Sequence, residues 1–193
     1  MITIILIILV MIASFWILFP TFFETPKYLV IKKVNNFEIR EYNETLVVAS
    51  RQKGSRESSL SKGFSDLARY IGGHSEEQIK ISMTVPVIQE KTLDKKYWKT
   101  IFFMPKKYSS TDAPNPVSKS IILKNMPKVR FAIIKFNGSP NKKILKEKAD
   151  RLESWIKRLG IGYDINKIRY AFYHGPMTPG LLRKNEVQIP LKL

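Results

Sequence analysis

Twice along this chain a stripe of apolar residues at helical spacing ends in glycine and gives way to short segments rich in β-branched and aromatic residues. Leu60, Phe64, Leu67, Ala68 and Ile71 share one face of a helix that Gly72-Gly73 would stop. Leu145, Ala149, Leu152, Ile156 and Leu159 repeat the pattern over residues 141–159, with Ser139-Pro140 as the entrance and Gly160 as the stop. A helix with one apolar face has to bury it, and the strand-like flanks offer a sheet to bury it on, so the chain reads as α+β.

The flanks divide the same way. Tyr28-Leu29-Val30-Ile31 and Phe37-Glu38-Ile39-Arg40-Glu41-Tyr42 surround Asn35-Asn36 and predict a hairpin, with residues 45–49 continuing as strand. Residues 79–88 and 98–104 predict two strands after the first helix, and the Asp, Asn and Pro residues of 109–116 predict an irregular link. Strands follow at 120–123 and 129–136, then the second helix, then strands at 167–173 and 186–189. Leu67-Ala68-Arg69-Tyr70-Ile71 in the first helix answers Leu152-Glu153-Ser154-Trp155-Ile156 in the second, which suggests a duplicated strand-helix-strand-strand unit.

Residues 2–23 carry no charged side chain, and about 20 apolar residues suffice to cross a bilayer as a helix. Trp16, Phe19, Phe22 and Phe23, then Lys27, read as interfacial anchors after an uncleaved span. A cleavable signal peptide is the rival, but it usually has a cation ahead of its apolar stretch and small residues before the cut. We therefore expect a membrane anchor over residues 1–23 and one folded domain over 24–193, a normal size for a single core. The excess of Lys and Arg after the span favours a single-pass protein with a cytoplasmic domain. The absence of Cys excludes disulfides and thiolate chemistry. A net charge of +17 favours anionic lipid headgroups, nucleic acid or acidic ligands without choosing among them.

Several separated motifs then point the same way. Pro26-Lys27-Tyr28, Phe37-Glu38-Ile39-Arg40-Glu41-Tyr42, Phe64-Ser65-Asp66-Leu67-Ala68-Arg69-Tyr70-Ile71-Gly72-Gly73, Ile79-Lys80-Ile81-Ser82-Met83-Thr84-Val85-Pro86-Val87 and Leu182-Arg183-Lys184-Asn185-Glu186-Val187, in this order, resemble the SOUL haem-binding family from about residue 26 to 189. The resemblance implies a distorted barrel-like antiparallel sheet with two helices, in two pseudo-symmetric βαββ halves. It also implies haem or a related tetrapyrrole as ligand, held against an apolar surface near the first helix. Leu60, Phe64 and Met83 are the expected ring contacts, with Lys62, Arg69 and Lys80 as cations for the propionates.

Iron ligation follows less directly from the resemblance. Some SOUL members carry a histidine between the Arg and Tyr matched by Arg40 and Tyr42, but Glu41 stands here. The histidines are His74 and His174, and His74 is the candidate axial ligand, with a solvated loop residue as its other reading. Burial of the ring alone would also admit free-base porphyrin. Without the family, Met83 reads as core packing, Pro86 as an edge or bulge, and Arg40, Glu38, Arg183 and Glu186 as ion pairs fixing strand ends.

Other function classes leave weaker traces. There is no nucleophile elbow, zinc pair, phosphate-binding glycine loop or dinucleotide fingerprint, so catalysis is not expected. Lys and Arg decorate the second helix, but Glu147, Asp150 and Glu153 intersperse them, as on a solvated face. A basic membrane-surface or protein-interaction module is the alternative to haem binding, and no recognition helix or stacking motif points to specific nucleic-acid binding.

Overall fold

The computed structural model describes residues 22–192. Nine strands, β1 (Tyr28–Val34), β2 (Phe37–Tyr42), β3 (Thr45–Lys53), β4 (Val87–Lys91), β5 (Tyr97–Phe103), β6 (Ile121–Met126), β7 (Val129–Asn137), β8 (Arg169–Phe172) and β9 (Lys184–Pro190), accompany two helices, α1 (Arg56–Ile71) and α2 (Lys142–Arg158). All strands join one antiparallel sheet in the order β1-β2-β7-β9-β8-β4-β5-β3-β6, curled into a half-barrel with β1 and β6 as its edges.

That order is the same from either side of the central β8–β4 pair. The β3-α1-β4-β5 segment forms the order β4-β5-β3, and β7-α2-β8-β9 forms β8-β9-β7. The strand leading into each segment pairs with the other one: β2 lies against β7, and β6 against β3. The expected unit therefore takes form with its leading strands exchanged, a long-range pairing that local sequence patterns do not encode.

Local chemistry accounts for most element ends. Asn35 turns the first hairpin at φ +52°, a region Asn tolerates better than most residues. Ser55 caps α1 by accepting the Ser58 amide at 3.2 Å, and Asn141 caps α2 by accepting the Ile144 amide at 2.9 Å. The expected strand over residues 79–88 is corrected: pairing begins only at Val87. The Ile81 amide donates to the Ile71 carbonyl and the Val85 amide to the Glu24 carbonyl, while Pro86 has no N–H, so this stretch cannot hold a ladder. The strand expected over 167–173 shrinks to Arg169–Phe172 because a 3₁₀ turn, Ile165–Lys167, leads into it.

Both helices pack on one face of the sheet, α1 over β3 and β5, α2 over β7 and β9. Among the described residues no helix is long and apolar enough to cross a membrane. The anchor expected over residues 1–23 lies, apart from its last two residues, outside the described residues.

Candidate functional site

The helix α1 meets the sheet through small residues. Its buried positions are Ser59, Gly63, Leu67 and Tyr70, and a Cβ on Gly63 would fall 2.5 Å from the Thr100 hydroxyl oxygen. That close approach seats the helix low on β5 and leaves the bulkier Leu60 and Phe64 at its flank. Phe64 is 40% exposed, with its ring edge-on to buried Phe102 at 5.5 Å between centroids. Leu60 and Met83 are half-buried and pack on the same cluster, built from Leu67, Val87 and Phe102. Leu60, Phe64 and Met83 thus each lie against one cluster, an apolar shelf at which Phe64 is partly open to solvent.

The expected cations are distributed differently. Lys62 and Arg69, seven residues apart, share one exposed side of α1, about 180° around the helix from Leu60. They do not stand directly over the shelf. Arg69 instead reaches His74, at 3.5 Å between guanidinium and ring nitrogens, and His74 donates its backbone amide to the Arg69 carbonyl. The stem of Lys80 lies next to Gly73, where an added Cβ would come within 3.6 Å of it. Arg69, His74 and Lys80 thus gather at the C-terminal end of α1, and Lys62 is apart from them. His74 is exposed, with a guanidinium rather than a carboxylate or carbonyl oxygen beside its ring. His174 sits elsewhere, accepting the Lys184 amide at Nδ1 over 3.1 Å.

Neither of two cavities at the surface is lined by an expected site residue. One, of about 280 Å³, lies between residues 24–27, the β2–β3 turn and the end of β5. The other, of about 370 Å³, is a shallow depression beside Phe37 and α2.

On the sheet face away from the helices the chain buries a charged network that sequence reasoning saw only in part. Arg40 donates to Glu38 at 2.6 Å and to Glu186 at 2.9 Å, and Lys135 reaches Glu38 at 2.5 Å. These pairs span β2, β7 and β9 rather than fixing strand ends. Arg183 takes no part: its guanidinium donates to the carbonyls of Thr178 and Pro176. Burial alone would weaken the charge on Arg40, but Glu186 and Tyr42 more than offset it and hold the guanidinium firmly charged. Burial pushes the Glu38 carboxyl up, yet hydrogen bonds from Lys135 and Arg40 leave it below the ordinary carboxylate range.

Gln188 and Arg169 complete the network and carried no signal in the sequence. Gln188 donates to Glu186 at 2.7 Å and accepts from Arg169 at 2.7 Å. The Arg169 guanidinium lies 3.6 Å from the centre of the Phe131 ring, and its Nη2 finds no hydrogen-bond partner among the described residues. Burial depresses its pKa below the ordinary arginine value. Only the register between β2, β8 and β9 brings these groups together. They form a structural mortar for the sheet, well away from the shelf.

The SOUL heme-binding protein family matches residues 23–190, nearly all of the described chain. The protein belongs to the SOUL family. Heme-binding protein 2 of Homo sapiens is 26% identical to this SOUL protein over 163 residues, covering 79% of this chain and 76% of the human one. Among solved structures, the EcmrR C-terminal domain superposes with a TM-score of 0.59 at 16% identity, covering 86% of this chain and 98% of that one. A hydrolase from Listeria innocua superposes with a TM-score of 0.58 at 11% identity, covering 84% and 94%. At such identities these two structures share the fold alone, and the hydrolase name describes only that protein. Family membership makes haem the cofactor to test at the α1 shelf. Leu60, Phe64 and Met83 offer apolar side chains of the kind a flat ring needs, and His74, exposed beside the Arg69 guanidinium, offers an imidazole at the end of α1.

Proposed function

We propose that residues 24–193 form a domain that holds haem or a related tetrapyrrole, for buffering or transfer, and that residues 1–23 tether it to a membrane with the domain on the cytoplasmic side. The reading rests above all on membership of a heme-binding family, and the half-open contact of Phe64 with Phe102 supports the place. Leu60, Phe64 and Met83 take the ring. Arg69 and Lys80 at the end of α1 meet the propionates, and Lys62 assists from the far side of the helix through its long flexible stem. Haem, when bound, would supply an iron, and His74 is the residue that would hold it. Holding the ring is the protein's task.

The test is a titration of the full chain in detergent with haem, free-base porphyrin and an unrelated apolar dye. The expected result is a shifted haem absorption band that saturates near one haem per chain, with weak uptake of the dye. Uptake no better than that of an unrelated basic protein would remove the proposal. Replacing His74 by Ala tests the axial role separately: an unchanged bound spectrum strikes out that ligand while leaving ring binding intact.

A further inference from the structure

The edge strand β1 mixes apolar and basic side chains along its length. All seven of its residues are exposed, among them Tyr28, Leu29, Val30, Ile31 and Val34, and a bulge between Val30 and Lys32 interrupts its pairing with β2. The bulge and Lys32-Lys33 guard this edge against pairing with another strand. Lys27, Lys32 and Lys33 interleave with these apolar side chains, which is the composition of a surface lying at a lipid–water boundary. The strand begins five residues after the uncharged run of residues 2–23 ends.

Beside the start of β1 lies the 280 Å³ cavity. Lys27 and Lys106 line it together with Glu24 and Glu44, over a floor that includes Leu46 and Phe103. Its wall is fixed: the Glu24 carboxylate accepts the Lys106 amide at 3.0 Å, and the Glu24 carbonyl accepts the Val85 amide at 3.0 Å. Two ammonium groups and two carboxylates around one small hollow suit a ligand that itself carries both signs.

We propose that this cavity takes the headgroup of an aminophospholipid, with the phosphate at Lys27 and Lys106 and the ammonium at Glu44, while the apolar side chains of β1 rest in the interfacial layer. The proposal rests on the membrane tether, which brings the cavity mouth and β1 to the level of the headgroups. Phosphate attracts both lysines as a charge-assisted acceptor, and a primary ammonium offers N–H donors to carboxylate. Phosphatidylcholine lacks those donors and phosphatidylglycerol lacks the cation, so the site discriminates by headgroup and not by net charge alone.

The test places the full chain in phosphatidylcholine vesicles containing a photoactivatable phosphatidylethanolamine, phosphatidylserine, phosphatidylglycerol or phosphatidylcholine, and maps adducts by mass spectrometry. Ethanolamine and serine lipids should label peptides containing residues 24–27 and 103–108 several-fold more than the other two. The K27A/K106A double variant should lower that labelling about tenfold, the loss expected for charge-assisted hydrogen bonds. Glu44→Gln should reduce the ethanolamine and serine signals to the choline level. Equal labelling by all four lipids, or undiminished labelling of the double variant with its thermal unfolding unchanged, overturns the proposal.

An alkaline wash of the same vesicles separates this result from the tether. If the chain is released, the tether fails, and the headgroup chemistry is tested with soluble phosphoethanolamine as the probe. Protection of Lys27 and Lys106 from an amine-modifying reagent then supports a soluble source for the same ligand chemistry, and no protection overturns it.

Discussion

The two helix-bearing halves share an element order but close their cores in different ways. Under α2, Leu145, Leu152, Trp155 and Ile156 are all buried, and Trp155 stacks on Phe37 at 5.1 Å. Under α1, two of the four buried positions are Ser59 and Gly63, and the larger apolar groups Leu60 and Phe64 are left at the margin. The difference shows how a repeated unit divides labour. Large residues beneath a helix seal it to the sheet, whereas small ones bring the helix close and leave its apolar flank partly exposed. The second half is closed on its other face too, by Arg40 and its carboxylate partners.

The sharpest challenge to this contrast is Arg40→Met. It leaves Glu38 and Glu186 buried without their shared cation, and such a loss costs about 3–5 kcal/mol. Chemical denaturation should show it, and a cost typical of an exposed residue would mean that the network does not hold the second half together. Next come paired truncations. Leu152→Ala in the sealed half should cost about 2–5 kcal/mol and leave haem affinity per folded molecule unchanged. Phe64→Ala should cost only about 0.5–1.5 kcal/mol, since its ring is half out of the core, yet weaken haem uptake clearly. Similar affinity losses in both variants would erase the distinction between a sealed and a binding half.

Gly63→Ala probes the close approach itself. Alanine favours a helix interior by about 1 kcal/mol, but its methyl would meet Thr100, so we expect a net loss of about 1–3 kcal/mol and a changed haem spectrum as α1 lifts. A more stable variant with an unaltered spectrum would show that the helix has room to spare. The smallest effect concerns acid. Because the folded Glu38 carboxyl sits below its ordinary range, its contribution is present above that range and fades as pH falls through the depressed value. Lys135→Met raises the folded value, so acid unfolding followed by circular dichroism should begin at higher pH. An unmoved midpoint would assign the stabilisation of Glu38 to Arg40 alone.

The elements behind this contrast are legible in the sequence, while the contrast itself is not. Helical spacing marked both apolar stripes, and Asn35-Asn36, Gly72-Gly73 and Gly160 marked turns and stops, because these signals act within a few residues. Leu60 and Met83 pack on the cluster under α1, and Phe64 meets that cluster at Phe102. What stayed hidden depends on distance and direction. Residues 79–86 carry strand-like side chains, but the amides of Ile81 and Val85 are committed to other partners. Lys62 and Arg69 were near the shelf in sequence and turned away from it in space, a consequence of helical rotation. Arg169 and Gln188 met Glu186 only through strand register, which the chain's local composition does not record.

The traded strands β2 and β6 carry one more consequence. Neither half owns a complete set of hydrogen-bonding neighbours, so severing the 109–116 link should yield two fragments that must find each other to regain their shape. Equally, two half-length polypeptides lending leading strands to one another would assemble this same sheet without any covalent join. The present chain has the geometry of such a reciprocal dimer with its two members fused into a single polypeptide.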